Sequence, residues 1–148
     1  MTALSQHFTL LEMTGTDATN IVEAEPYVAS LTALCTTLLE PVRARFGPVS
    51  VHSGFRGPAL NARVKGNKAS QHLKGEAVDF HCPGAKLEDV MRWIVYDSGL
   101  KYGQVILEGR RGPPTWIHLS LGQPFRVGSK CQQALVTTDG VNYSPYKG

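Results

Sequence analysis

The chain has 148 residues, 42% hydrophobic and 18% charged, enough for one sizeable buried core and too short for two. No stretch approaches the ~18 consecutive apolar residues of a membrane span, and Met1 to Leu11 lack the basic-then-apolar pattern of a secretion signal. Three cysteines, Cys35, Cys82 and Cys131, are odd in number and lack paired metal spacing, which fits reduced thiols made in a cytoplasm.

Polar capping residues lie between Asp17 and Asn20, and Glu25-Pro26 has the form of a helix start with proline in its first turn. Val28, Leu31, Cys35, Leu38 and Val42 recur at helical spacing, widened by Leu34 and Leu39, and predict a core helix kinked at Pro41 and ended by Gly47-Pro48. Val49 to Ser53 follows as a short alternating strand. Arg56 lies just beyond it, where a loop presents the side chain to a cleft. Its planar fork suits a carboxylate, and the simpler alternative is a pair with a surface acid. Gly57-Pro58 opens a short helix through Asn61 to Val64, closed by Gly66-Asn67.

The formal net charge of +3 is unevenly placed: no acid lies between Glu40 and Glu76, where Arg43, Arg45, Arg56, Arg63, Lys65, Lys68 and Lys74 all fall. Such a block either concentrates an anionic polymer or is simply a solvated face. Nucleic acid is disfavoured as a partner for want of a series of aromatic rings among these charges.

Ser70-Gln71-His72-Leu73-Lys74-Gly75-Glu76-Ala77-Val78-Asp79 is the stretch richest in chemistry. Glu76 to Cys82 reads as a short, largely buried strand, and a turn at Gly75 folds His72 back towards Asp79. Ser70 either caps a turn or hydrogen-bonds a substrate. His81 shares the strand face of Asp79 and is read as a bystander, Cys82 as a small buried hydrophobe, and His7 and His52 as structural or exposed. Leu87, Val90, Met91 and Ile94 form a second helical stripe, with Glu88 and Asp89 near its N-terminus, Trp93 in the core and Asp97-Ser98-Gly99 as its stop.

A hairpin is predicted next, from residues 104–108 to residues 115–120 around a loop from Gly109 to Pro114. It places His118 on a strand beside the first, with Trp116 either walling a cleft or in the core. Two imidazoles and one carboxylate are the set a catalytic zinc needs if its fourth position stays open for water. Gly122-Gln123-Pro124 is a turn, Gln132 to Thr138 a last strand, and Asp139-Gly140 a turn into a polar tail.

Three segments, Ser53-Gly54-Phe55-Arg56, the stretch from Ser70 to Asp79, and Trp116-Ile117-His118-Leu119-Ser120, resemble the motifs of the M15 family of zinc peptidases, in the D-alanyl-D-alanine carboxypeptidase-like subfamily. Leu4-Ser5-Gln6-His7-Phe8-Thr9-Leu10 is similar to the opening of bacteriophage and bacterial members. The resemblance implies a single α+β domain over residues 1–148, a small mainly antiparallel sheet with packed helices, as in Hedgehog and DD-peptidase folds. It implies one zinc ion on His72, Asp79 and His118, substrate contacts from Arg56 and Ser70, and a peptidoglycan stem peptide as substrate.

The chain departs from several relatives in having Thr115 where they carry an acid three residues before the second histidine, and threonine cannot serve as the base. Glu108 is the best remaining candidate. It shares the face of His118 if it lies opposite Trp116 or Pro114 rather than Thr115; otherwise it is a strand-end surface charge. Glu76 is the rival, facing the other way if it shares a strand with Asp79. The expected protein is a monomeric phage lysis endopeptidase (an endolysin) cutting an L-Ala–D-Glu or cross-link bond, made in the cytoplasm and acting on the cell wall. The alternatives are a D-Ala-D-Ala carboxypeptidase, or a non-catalytic zinc-stabilised binding or virion structural module.

Overall fold

The apolar stripe between Val28 and Val42 folds as the long helix its spacing predicts. In the computed structural model, which describes residues 2–122 and 132–148, this helix (α3) has four segments. A 3-10 turn, Glu25–Tyr27, runs into Val28–Leu34, a π segment Cys35–Leu39, and Glu40–Phe46. The π segment sits where a kink at Pro41 is expected. Proline donates no N–H and its ring crowds the carbonyl four residues back, so the turn widens and the Glu40 N–H reaches the Cys35 carbonyl. Gly47, at φ 85, ends the helix.

Two short helices precede it. Helix α1 (Leu10–Thr14) is capped reciprocally by Thr9 and Glu12, and α2 (Ala18–Glu23) by the Asp17 carboxylate, which accepts the Asn20 N–H. Asn20 is buried. Its amide donates to the Thr14 and Phe55 carbonyls and accepts the Gly57 N–H, pinning the loop that carries Arg56. A Cβ at Gly54 would lie 2.6 Å from the Met13 carbonyl oxygen, so only glycine lets this loop pass so close to α1.

Six strands form one sheet in the order β1-β2-β4-β3-β5-β6: β1 (Ser50–Ser53), β2 (Ala77–His81), β3 (Tyr102–Glu108), β4 (Trp116–Leu121), β5 (Gln133–Thr137) and β6 (Ser144–Pro145). Helix α4 (Pro58–Arg63) and a 3-10 turn (Gln71–Lys74) join β1 to β2, and α5 (Leu87–Arg92), extended by a π segment (Trp93–Asp97), joins β2 to β3. The expected α+β class with a small, mainly antiparallel sheet is what is found; among the described residues the β3–β5 pair alone is parallel. The polar tail is more ordered than its composition suggests. Asp139 accepts the backbone N–H groups of Val141 and Asn142, and β6 pairs with β5. Gln123, Pro124 and Cys131 lie outside the described residues.

Strand alternation divides the sheet. Val78, Phe80, Val105, Leu107, Ile117 and Leu119 join the core with Leu31, Leu34 and Leu38 of α3 and Val90, Met91 and Ile94 of α5. Trp93 packs edge-on against Phe46. Burial pushes the Cys35 thiol up to about 12 and that of Cys82 to about 11, so both are protonated core groups at neutral pH. Among the described residues no helix is long and apolar enough to cross a membrane.

Candidate metal centre

The other face of the sheet holds the chemistry. Asp79 on β2 pairs directly with His118 on β4, so their side chains rise together. His72 arrives from the 3-10 turn, which begins with the Ser70 hydroxyl accepting the His72 N–H and ends at Gly75 in the left-handed region, φ 67. That reversal lays His72 over β2. His118 Nδ1 is 2.9 Å and His72 Nε2 3.4 Å from the same oxygen, Asp79 Oδ1. One ligand atom from each residue lies within 4.8 Å of the others.

His72 Nδ1 lies 2.7 Å from the Gly54 carbonyl oxygen. A carbonyl can only accept, so Nδ1 carries the proton and Nε2 presents its lone pair to the cluster. Burial disfavours the imidazolium and holds the His72 pKa below its ordinary value, despite the Asp79 carboxylate. Burial alone would raise Asp79, but hydrogen bonds from His118 and His72 and their charge hold its carboxyl well below the usual range. An ionised carboxylate and two imidazoles are the mixed N/O donors that suit zinc, and among the described residues the cluster has three members, the number a catalytic site uses. The donor set fits the ion.

Register decides Glu108. Ile106 pairs with His118 and Glu108 with Trp116, so Glu108 falls on the face of His118. Its Oε1 is 3.9 Å from His118 Nδ1, and the residue is only 6% exposed. Burial, aided by the charge of Asp79, raises its pKa against the pull of His118, Arg110 and Arg56. Thr115, exposed, instead donates its backbone N–H to the Glu108 carbonyl. Glu76 takes the parity of Val78 and is not among the described residues lining the cleft.

That cleft is about 510 Å³ and contains all three members of the cluster, Glu108, Arg56 and Ser70. Arg56 Nη2 donates to Ser70 Oγ at 3.3 Å, so the serine both caps the turn and steadies the guanidinium. Arg56 Nε is buried without a partner, an unmet donor beside the cleft. The basic block splits: Arg56 and Lys65 line the cleft, Arg63 pairs with Asp17, and Arg43 and Arg45 lie in the last turn of α3.

Other residues fall away from the cluster or were missed in the sequence. His81 is not among the described residues lining the cleft, but His52, expected to be structural or exposed, meets it with Nε2 2.6 Å from His81 Nδ1. His7 pairs with Glu40 at 2.7 Å. Trp116 is half-buried beside His52 and beneath Arg110, in a shallow hollow next to the cleft. Gly54, whose carbonyl orients His72, and Gly140 and Tyr143, which line the cleft, carry no sequence signal for those places.

The family model described as Peptidase M15 matches residues 6–120. The chain belongs to the M15 peptidase family. M15 peptidases depend on zinc, and the cluster of His72, Asp79 and His118 is a possible site for it in this member. No curated protein matches the chain. The family match stops within β4 of this M15 chain, so β5, β6 and the cleft wall at Gly140 and Tyr143 lie beyond it.

Proposed function

We propose that residues 1–148 act as one monomeric zinc endopeptidase domain on the stem peptides of bacterial peptidoglycan, cutting an L-Ala–D-Glu or cross-link bond in phage lysis. The observation that carries this reading is the convergence of three ligand atoms within 4.8 Å, with the buried Glu108 carboxylate beside them. The phage role draws on the similarity of residues 4–10 to bacteriophage members, and would have the protein leave the cytoplasm for the wall.

His72 Nε2, His118 Nδ1 and an Asp79 oxygen would hold the ion. Zinc bound there would acidify a water molecule and polarise the peptide carbonyl. Glu108 takes the water's proton at a carboxylate oxygen and passes it to the leaving nitrogen as the C–N bond breaks. Arg56, with its unmet Nε and its fork steadied by Ser70, binds a substrate carboxylate. Cleft-lining residues include Asn67, Ala69 and Gln71 ahead of β2 and Arg110, Gly140 and Tyr143 beyond β3, with the cluster on β2 and β4 between them, which leaves room for peptide on both sides of the bond and favours an endopeptidase.

Digestion of purified peptidoglycan with and without chelator, followed by mass analysis, tests this. The expected result is release of stem-peptide or cross-link fragments, lost with chelator and restored by zinc. Loss of a single terminal alanine would instead make the protein a D,D-carboxypeptidase. No change with zinc-loaded protein would make it a non-catalytic module.

A further inference from the structure

The cleft wall outside the family match is built with care for a segment that reads as a tail. Asp139 gathers the N–H groups of Val141 and Asn142 and the Asn142 amide, and the Tyr143 hydroxyl donates to the Gly140 carbonyl. The turn is thereby held with Gly140 against the Arg110 side chain, where a Cβ would lie 2.7 Å from Arg110 Cδ. Tyr143 stays 45% exposed while lining the cleft. A large ring left in solvent at the mouth of a cleft is a ready surface for a ligand.

Arg110 is the cation this wall carries. It lies two residues past Glu108, beyond the end of β3, whereas Arg56 lies three residues past Ser53, beyond the end of β1 and at the opposite end of the strands. Asp79 and His118 sit between them on β2 and β4. Both guanidiniums face one cleft, and the charge of Arg110 adds to the burial that lowers the Arg56 pKa. Among the described residues Arg110 meets the Trp116 ring and, at 4.0 Å, a Glu108 carboxylate oxygen, yet its side chain is 62% exposed and keeps donors for a ligand. Two cations on diagonal corners of one site, each with donors to spare, match a ligand with two anionic groups.

We propose that Arg110 and Tyr143 form a second recognition point of the cleft, which binds a carboxylate on the peptide substrate across the scissile bond from the one held by Arg56. The substrate class is then the cross-linked stem peptide, which carries free carboxylates on both sides of its cross-link bond, whereas around the L-Ala–D-Glu bond every free carboxylate lies on the D-Glu side. This rests on the peptidase reading above. Arg110 contributes a charge-assisted pair and Tyr143 an amphipathic ring against which the peptide lies.

The test uses two synthetic cross-linked stem-peptide dimers identical except at the D-glutamyl α-carboxyl groups, free in one and amidated in the other. Turnover is followed with zinc-loaded wild type, Arg110→Gln, Arg110→Lys and Tyr143→Ala, and binding by calorimetry on zinc-loaded Glu108→Gln with and without Arg110→Gln. The wild type should show a KM about tenfold lower for the free-carboxyl peptide, the scale of one charge-assisted hydrogen bond. Arg110→Gln should erase that preference in KM, with any change in kcat from the lost pull on Glu108 the same for both peptides. Arg110→Lys should retain part of it, and Tyr143→Ala should raise KM for both peptides. Equal KM values for the two peptides in the wild type would overturn the proposal. So would an Arg110→Gln protein with lowered kcat and unaltered KM, which would mean that Arg110 works only through Glu108. Preferential binding without any cleavage would uphold the subsite while overturning the peptidase reading, and neither binding nor cleavage would overturn both.

Discussion

The two faces of the sheet, one residue apart along every strand, are built for opposite ends. Leu119, Val78 and Leu107 are buried among apolar neighbours, where removal from water stabilises the fold. Next to them in sequence, His118, Asp79 and Glu108 crowd two carboxylates and an imidazole into a partly buried cleft. The charge of Asp79 adds to burial in raising the cost of ionising Glu108 across it. One face supplies stability, and the other spends some of it to hold unlike and like charges where a divalent cation would satisfy them.

The strongest test of that division is His118→Ala. It should abolish stoichiometric zinc binding and cleavage together while far-ultraviolet dichroism stays native; retained cleavage in a metal-free preparation would break the scheme. Glu108→Gln should keep zinc, measured by metal analysis, and lower kcat by about 10²–10⁴, the range for a general base. Near-normal turnover would send the proton to another residue. The adjacent core position should behave in reverse: Leu119→Ala should cost about 2–5 kcal/mol, lowering Tm by on the order of 10 °C, with kcat per folded molecule unchanged. A loss of turnover without a loss of stability there would erase the contrast between the faces.

Two smaller effects sharpen it. Zinc should raise Tm and chelation lower it, because an ion bound only by the folded state adds to stability by mass action; an unchanged Tm would mean that no folded-state site exists. The pH profile should carry the imprint of Glu108. Its raised pKa means that the ionised base is lost as pH falls through a value above the ordinary ~4.3 for glutamate, so the acid limb of kcat/KM should lie above that value and vanish in Glu108→Gln. An acid limb that persists in that variant belongs to a different group.

Much of this was legible in the chain. The helical stripe, the break near Pro41 and the hairpin can be read from residue kinds and spacing, because those are short-range matters of backbone geometry. His72, Asp79 and His118 stand out instead through the resemblance of their segments to M15 motifs, since two histidines and an aspartate scattered along a chain are weak evidence by themselves. Glu108 was legible only conditionally. Whether it faced His118 depended on the pairing across the loop from Gly109 to Pro114, and a slip of one residue would have turned it into the core. The Gly54 carbonyl that sets the tautomer of His72, the His52–His81 pair, the parallel β5 and the wall at Gly140 and Tyr143 were not legible, since each depends on segments far apart in sequence meeting in space.

The amino-acid sequence by itself therefore determined which side chains alternate towards the core and where the chain turns. Tertiary structure alone decided which strand lies beside which, in what register, and which backbone atoms and tail residues complete the cleft. The reason is physical: periodicity and turn chemistry are settled within a few residues, whereas register and long-range contact follow from the free energy of packing the whole core at once.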